Sequence, residues 1–166
     1  MTAVRWALVV VLVITVQTSL VSDLTLFGAR GDVVLLLAVA AGLVGGPESG
    51  AFVGFAGGLT FDLLLQSPFG LSALAYCLTG YVVGTFQGTV LRAAWWIPVL
   101  GALAGSAVGI VVFALVGETV GQDELISGDL IAIVAVVALF NAVLVLPAMR
   151  VARWAMADTS PLLSLR

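Results

Sequence analysis

The sequence predicts an all-α integral membrane protein, a compact bundle of about six transmembrane helices with both termini cytoplasmic. Three observations carry this: an apolar composition, a series of apolar runs broken by glycine, proline and charge, and a one-sided placement of arginine. Apolar residues make up 62% of the 166 and charged residues 9%, with a mean hydropathy of +1.26. A soluble domain averages roughly 45–50% apolar and about 25% charged. Six spans of roughly 20 residues use about 120 positions. A single transmembrane domain over 1–155 and a short cytoplasmic tail over 156–166 are therefore expected.

The runs place spans at about 4–21, 33–46, 49–65, 69–88, 95–116 and 130–149. The first follows Arg5 as a leader peptide would. No small-x-small cleavage site is clear, however, and everything downstream is equally apolar. The second span is short for a hydrocarbon core of roughly 30 Å and is broken by Gly45-Gly46-Pro47-Glu48. It reads either as a crossing that thins the bilayer or as half of a re-entrant hairpin with the third. Two crossings are expected. With the N-terminus inside, Arg5, Arg92, Arg150, Arg153 and Arg166 fall on the cytoplasmic side and Arg30 alone outside, a positive-inside bias. Trp6, Trp95, Trp96 and Trp154 then sit near cytoplasmic ends, where indoles favour the interface.

Glycine spacing is the strongest pattern. Gly50, Gly54 and Gly58 lie in the third span, Gly80, Gly84 and Gly88 in the fourth, and Gly101, Gly105 and Gly109 in the fifth. A four-residue repeat sets each triplet along one helix face. Lipid supplies no hydrophobic drive between helices, so small residues that let backbones approach must hold them together. Two readings follow: spans three, four and five pack on one another, or one strip faces outward and docks a partner's transmembrane helix. One contact uses two strips, which leaves a third.

Asp62 is the one acid well inside a span, and intramembrane charge marks function by default. Its place near the outer end, ahead of Pro68 and Gly70, also fits a carboxylate accepting hydrogen bonds from the start of the next helix. Gln17 and Asn141 read as hydrogen-bonding glue between helices. Tyr76 and Tyr81 read as anchoring or packing residues, Pro98 as a first-turn proline, and Pro147 as a kink near the end of the sixth helix.

The inventory argues against catalysis. With no His and no Lys, neither a Ser-His nor a Ser-Lys pair can be built. Cys77 has no base to activate it and no second cysteine with which to bind zinc. No enzyme, metal or cofactor is expected. A net charge of −3 without a basic run argues against nucleic acid as a partner.

The run Gly54-Phe55-Ala56-Gly57-Gly58-Leu59-Thr60-Phe61-Asp62, followed by Pro68-Phe69-Gly70-Leu71-Ser72-Ala73-Leu74-Ala75-Tyr76 and Gly80-Tyr81, resembles the rod shape-determining protein MreD family. Gln17-Thr18-Ser19 and the opening Asp32-Val33 of the second span are similar to it as well. The resemblance implies a non-enzymatic scaffold of the bacterial elongation machinery in the cytoplasmic membrane. That scaffold would dock the transmembrane helix of MreC and link peptidoglycan synthases outside to MreB filaments inside. It implies a family-motif turn at Asp62, Pro68, Gly70, Tyr76 and Tyr81. The family's fold is related to S components of energy-coupling-factor transporters, so a vitamin-binding transporter subunit is the alternative. The few polar residues in the outer halves of the spans weigh against that alternative.

Overall fold

Among the described residues, six long helices pack into a bundle. The computed structural model describes residues 2–21, 25–26, 29–64, 69–90, 96–119 and 130–157. Pro68, Arg92, Trp95, Asp123, Glu124 and Asp129 lie outside the described residues.

Helix α1 (Thr2–Val16) runs into a π-helical turn, Gln17–Val21. Two-residue strands β1 (Thr25–Leu26) and β2 (Ala29–Arg30) pair antiparallel before α2 (Val33–Gly45). Then come α3 (Pro47–Leu64), α4 (Leu71–Thr85), the one-turn α5 (Gln87–Val90), α6 (Trp96–Thr119) and α7 (Leu130–Met156). Local signals set these boundaries. Asp32 caps α2 by accepting from the Leu35 N–H at 2.8 Å. Gly46, at φ 84°, ends that helix in a backbone conformation that glycine adopts without penalty. Pro47 opens α3 at the first helical position, where its missing N–H is harmless.

Three expected spans differ in detail. The 69–88 run divides into α4 and α5, because the chain leaves the helix at Phe86. The fifth helix extends to Thr119. The sixth continues past 149 to Met156 with Pro147 inside it. The terminal carbonyls of that extension find a donor elsewhere: Arg5 Nη1 donates to Ala157 O at 2.9 Å and to Trp154 O at 3.3 Å.

The short second span has a different explanation from bilayer mismatch. Helix α2 packs against α1, α3, α4, α6 and α7, and Val34 to Leu43 are buried without interruption. A helix that is apolar all round belongs inside a bundle, and its neighbours, rather than lipid, set how long it must be. The interior around it mixes small residues, among them Ala75, Ala102, Ala138 and Ala152, with larger ones such as Val53, Tyr76, Val145 and Met149. Large apolar side chains also point outward: Phe52, Leu63, Ile131 and Val143 are each at least two-thirds exposed.

Helices α3 and α4 run antiparallel at backbone contact. A Cβ added to Gly50 would lie 2.6 Å from the Gly80 carbonyl carbon. One on Gly54 would lie 2.6 Å from that of Tyr76, and one on Gly58 2.6 Å from the Ala73 Cα. One on Gly84 would lie 2.5 Å from the Pro47 Cα. Gly42 brings α2 onto the same node, where an added Cβ would sit 2.5 Å from Gly80 O. No side chain fits between these helices, so main-chain van der Waals contact joins them.

Helices α6 and α7 are long and apolar enough to cross a bilayer, with span hydropathies of 2.5 and 2.8. They run antiparallel, joined by a buried bond from Asn141 Nδ2 to Ser106 Oγ at 2.9 Å. The chain thus alternates direction between two ends of the bundle. One end gathers the start of α1, the α2–α3 turn, the start of α6 and the close of α7. The other gathers Asp32, Asp62 and Gly70.

Candidate functional site

Charge divides between the two ends. Among residues whose side chains are described, the first end carries Arg5, Arg150 and Arg153 with Glu48. The second carries Asp32, Asp62 and Glu118 and no cation. A Cβ on Gly45 would meet Met156 and one on Gly31 would meet Phe140, which fixes α2 parallel to α7.

At the acidic end, the buried Asp62 and the partly buried Asp32 each hold a helix start. Asp62, 3% exposed, accepts the N–H of Gly70 at 2.9 Å and those of Ser72 and Ala73 at 3.3 Å. It thereby anchors the first turn of α4, where the helix dipole favours an anion. Gly70, at φ 96°, makes the tight entry possible. Asp32 caps α2 and also accepts a short hydrogen bond from the Tyr76 hydroxyl of α4. Burial raises the Asp32 carboxyl above the usual range, and the N–H of Leu35 and the Tyr76 hydroxyl oppose that rise. Gln17 completes the end: its amide donates to Gly31 O at 2.9 Å and accepts the Val33 N–H at 2.8 Å, tying α1 to the start of α2. The residues of this cluster come from four helices, α1 to α4, yet each polar atom serves to join elements. Tyr76→Phe removes one partner from the partly buried Asp32 carboxylate and is expected to lower stability in detergent by about 1–3 kcal/mol. Asp62→Asn is expected to have a loss of similar size, since an amide accepts fewer N–H bonds than a carboxylate. Thermal unfolding followed by circular dichroism measures both, and unchanged melting would remove the structural role from this cluster.

The nine glycines separate by surroundings. Gly50, Gly54, Gly58, Gly80 and Gly84 are consumed at the α3–α4 contact. Gly88 has nothing within 4 Å of an added Cβ. Those of α6 face side chains rather than backbone: Gly109 meets Leu35 and Thr79, Gly105 meets Val83, and Gly101 lies 3.5 Å from Leu43. Tyr81, unlike Tyr76, is half exposed on α4.

The α6 strip borders an open groove of about 360 Å³. Its α6 wall is Ile97, Leu100, Gly101, Ala104, Gly105 and Val108, its α4 wall Val82 and Val83 with Phe86 just beyond the helix, and Leu43 of α2 lies between them. Thr79 is the single polar side chain in this lining, and its hydroxyl donates to Ala75 O at 2.7 Å. From Ile97 to Val108 the wall rises about 16 Å at 1.5 Å per residue, roughly three helical turns, all in the half of the bundle nearer the arginine end. The groove holds no acid, base or nucleophile, and among the described residues no three His, Cys, Asp or Glu gather to hold a metal. What it can do is admit an apolar rod at close range.

Neither the buried position of α2 nor the groove was signalled in the sequence. Asp32 carried a readable cue, an acid directly ahead of an apolar helix. Compared with family models, curated proteins and solved structures, the chain matches none.

Proposed function

We propose that the chain is a non-enzymatic, multi-pass scaffold of the bacterial cytoplasmic membrane whose α4–α6 groove receives one apolar transmembrane helix of a partner. The observation that carries this is the glycine strip of α6. The strips of α3 and α4 are used up against each other, while Gly101 and Gly105 line an open, apolar groove about three helical turns long. In lipid such a face favours a second helix, because small residues permit close approach and no desolvation gain is needed.

Support for the membrane setting comes from the extent of exposed apolar surface. Large apolar side chains, Phe, Leu, Ile and Val, project outward on α1, α3, α4, α6 and α7 as well as filling the core. A soluble surface rarely carries apolar patches of that extent. The arginine end is cytoplasmic in this reading, the acidic end external, and both termini lie inside.

With the resemblance to the MreD family, the partner is the transmembrane helix of MreC. Peptidoglycan synthases and, indirectly, MreB are the further members of the assembly. The vitamin-transporter alternative requires a polar ligand pocket, and an apolar groove does not favour it. The test is co-purification of tagged chain with full-length MreC in mild detergent, alongside a radiolabelled vitamin uptake assay. Capture of MreC without uptake supports the scaffold, and uptake without capture overturns it.

A further inference from the structure

Arginine at the basic end is unequally engaged. Arg5 is committed within the protein: its guanidinium lies 5.2 Å from the Trp154 ring centroid and donates to the last carbonyls of α7. Because Arg5 satisfies those carbonyls, Arg150 and Arg153 are not needed there. Both are exposed, and neither has a hydrogen-bond or ion-pair partner among the described residues.

Their spacing places them in a larger pattern. Leu139, Val143, Leu146, Arg150 and Arg153 follow one another at intervals of four, three, four and three, which sets them on one face of α7. Every one of them is exposed. The face is thus apolar for two turns and then carries two arginines one turn apart. Phosphate matches this chemistry, because guanidinium offers paired donors in a planar fork. An acidic soluble peptide would meet the arginines but leave the apolar stripe bare. A phospholipid covers both, head to tail.

We propose that Arg150 and Arg153 bind the phosphate of an anionic phospholipid in the leaflet bordering the arginine end, with its acyl chains along Leu139, Val143 and Leu146. This rests on the membrane reading above, and the groove between α4 and α6 is a separate surface.

The experiment uses the full chain reconstituted in phosphatidylcholine alone or in an equal mixture with phosphatidylglycerol, released into mild detergent, with bound lipid counted by native mass spectrometry. Wild type is expected to retain phosphatidylglycerol in preference to phosphatidylcholine. Arg150→Gln with Arg153→Gln is expected to weaken that retention roughly tenfold, equivalent to about 1.4 kcal/mol. Inorganic phosphate is expected not to displace the lipid. Equal retention of the two lipids, retention unchanged in the double variant, or displacement by inorganic phosphate would each overturn the proposal. Size-exclusion profiles of both proteins check that the variant is folded, and Arg150→Lys with Arg153→Lys separates charge from fork geometry by retaining an intermediate amount. If the chain instead stays folded in water without detergent, the membrane reading itself falls. If it inserts but shows no anionic preference, only this inference does.

Discussion

Gly80→Leu is expected to leave no folded monomer, the largest effect of any single substitution in this chain. Gly80 is where three helices meet: an added Cβ would lie 2.5 Å from the Gly50 carbonyl carbon, and the Gly80 carbonyl is itself the nearest group to Gly42 and Gly50. Overpacking against side chains typically costs about 1–3 kcal/mol because rotamers shift to make room. Backbone has no rotamer to shift. Relief requires α3 and α4 to separate, which loosens the approaches at Gly54, Gly58 and Gly84 together. Net stabilities of about 5–15 kcal/mol leave little margin for that loss. Even Gly80→Ala is expected to fall at the upper end of the overpacking range, whereas Gly88→Leu, with open space around it, is expected to behave as wild type. Monodispersity and thermal unfolding in detergent measure this series, and a wild-type melting curve for Gly80→Leu would disprove backbone contact between these helices.

Ala104→Trp is expected to do the opposite: to leave the fold intact and abolish partner capture. Ala104 is exposed in the α6 wall of the groove, so an indole there occupies space that an incoming helix needs, and displaces no buried neighbour. Loss of close approach over about three turns is expected to reduce co-purification of MreC by at least roughly tenfold, about 1.4 kcal/mol, with melting unchanged. Gly105→Leu is expected to show a mixed result. Its added carbon would meet the Val83 Cγ2 at 2.6 Å, a side chain able to move only in part. Undiminished capture by Ala104→Trp would remove the groove from the docking reading, whatever the fate of the glycine variants.

The two series together sort a pattern that is uniform in sequence. Nine glycines at four-residue spacing look alike along the chain. Five meet backbone, three meet side chains, and one meets nothing. Spacing places residues on a face but is silent on what the face opposes, since that depends on helices distant in the chain. Asp62 was more legible, because the groups it binds lie within eleven residues of it. The Asp32–Tyr76 bond was not, its partners being 44 positions apart. Gln17 was readable as glue, but not as the bridge to Gly31 and Val33.

What the sequence determined by itself is what depends on composition and on neighbours along the chain. That covers the all-helical character, where most helices begin, the turn at Gly46-Pro47, and which helix faces are small enough for close contact. Apolar content, proline and glycine chemistry and capping act within a few residues, so they are visible in a one-dimensional reading. The tertiary structure alone decided that α2 is enclosed, that α3 and α4 exhaust each other's glycine strips, and that α6 keeps an open groove. Those outcomes come from competition among faces for partners in three dimensions, and no helix carries in its own sequence the identity of the face it will meet.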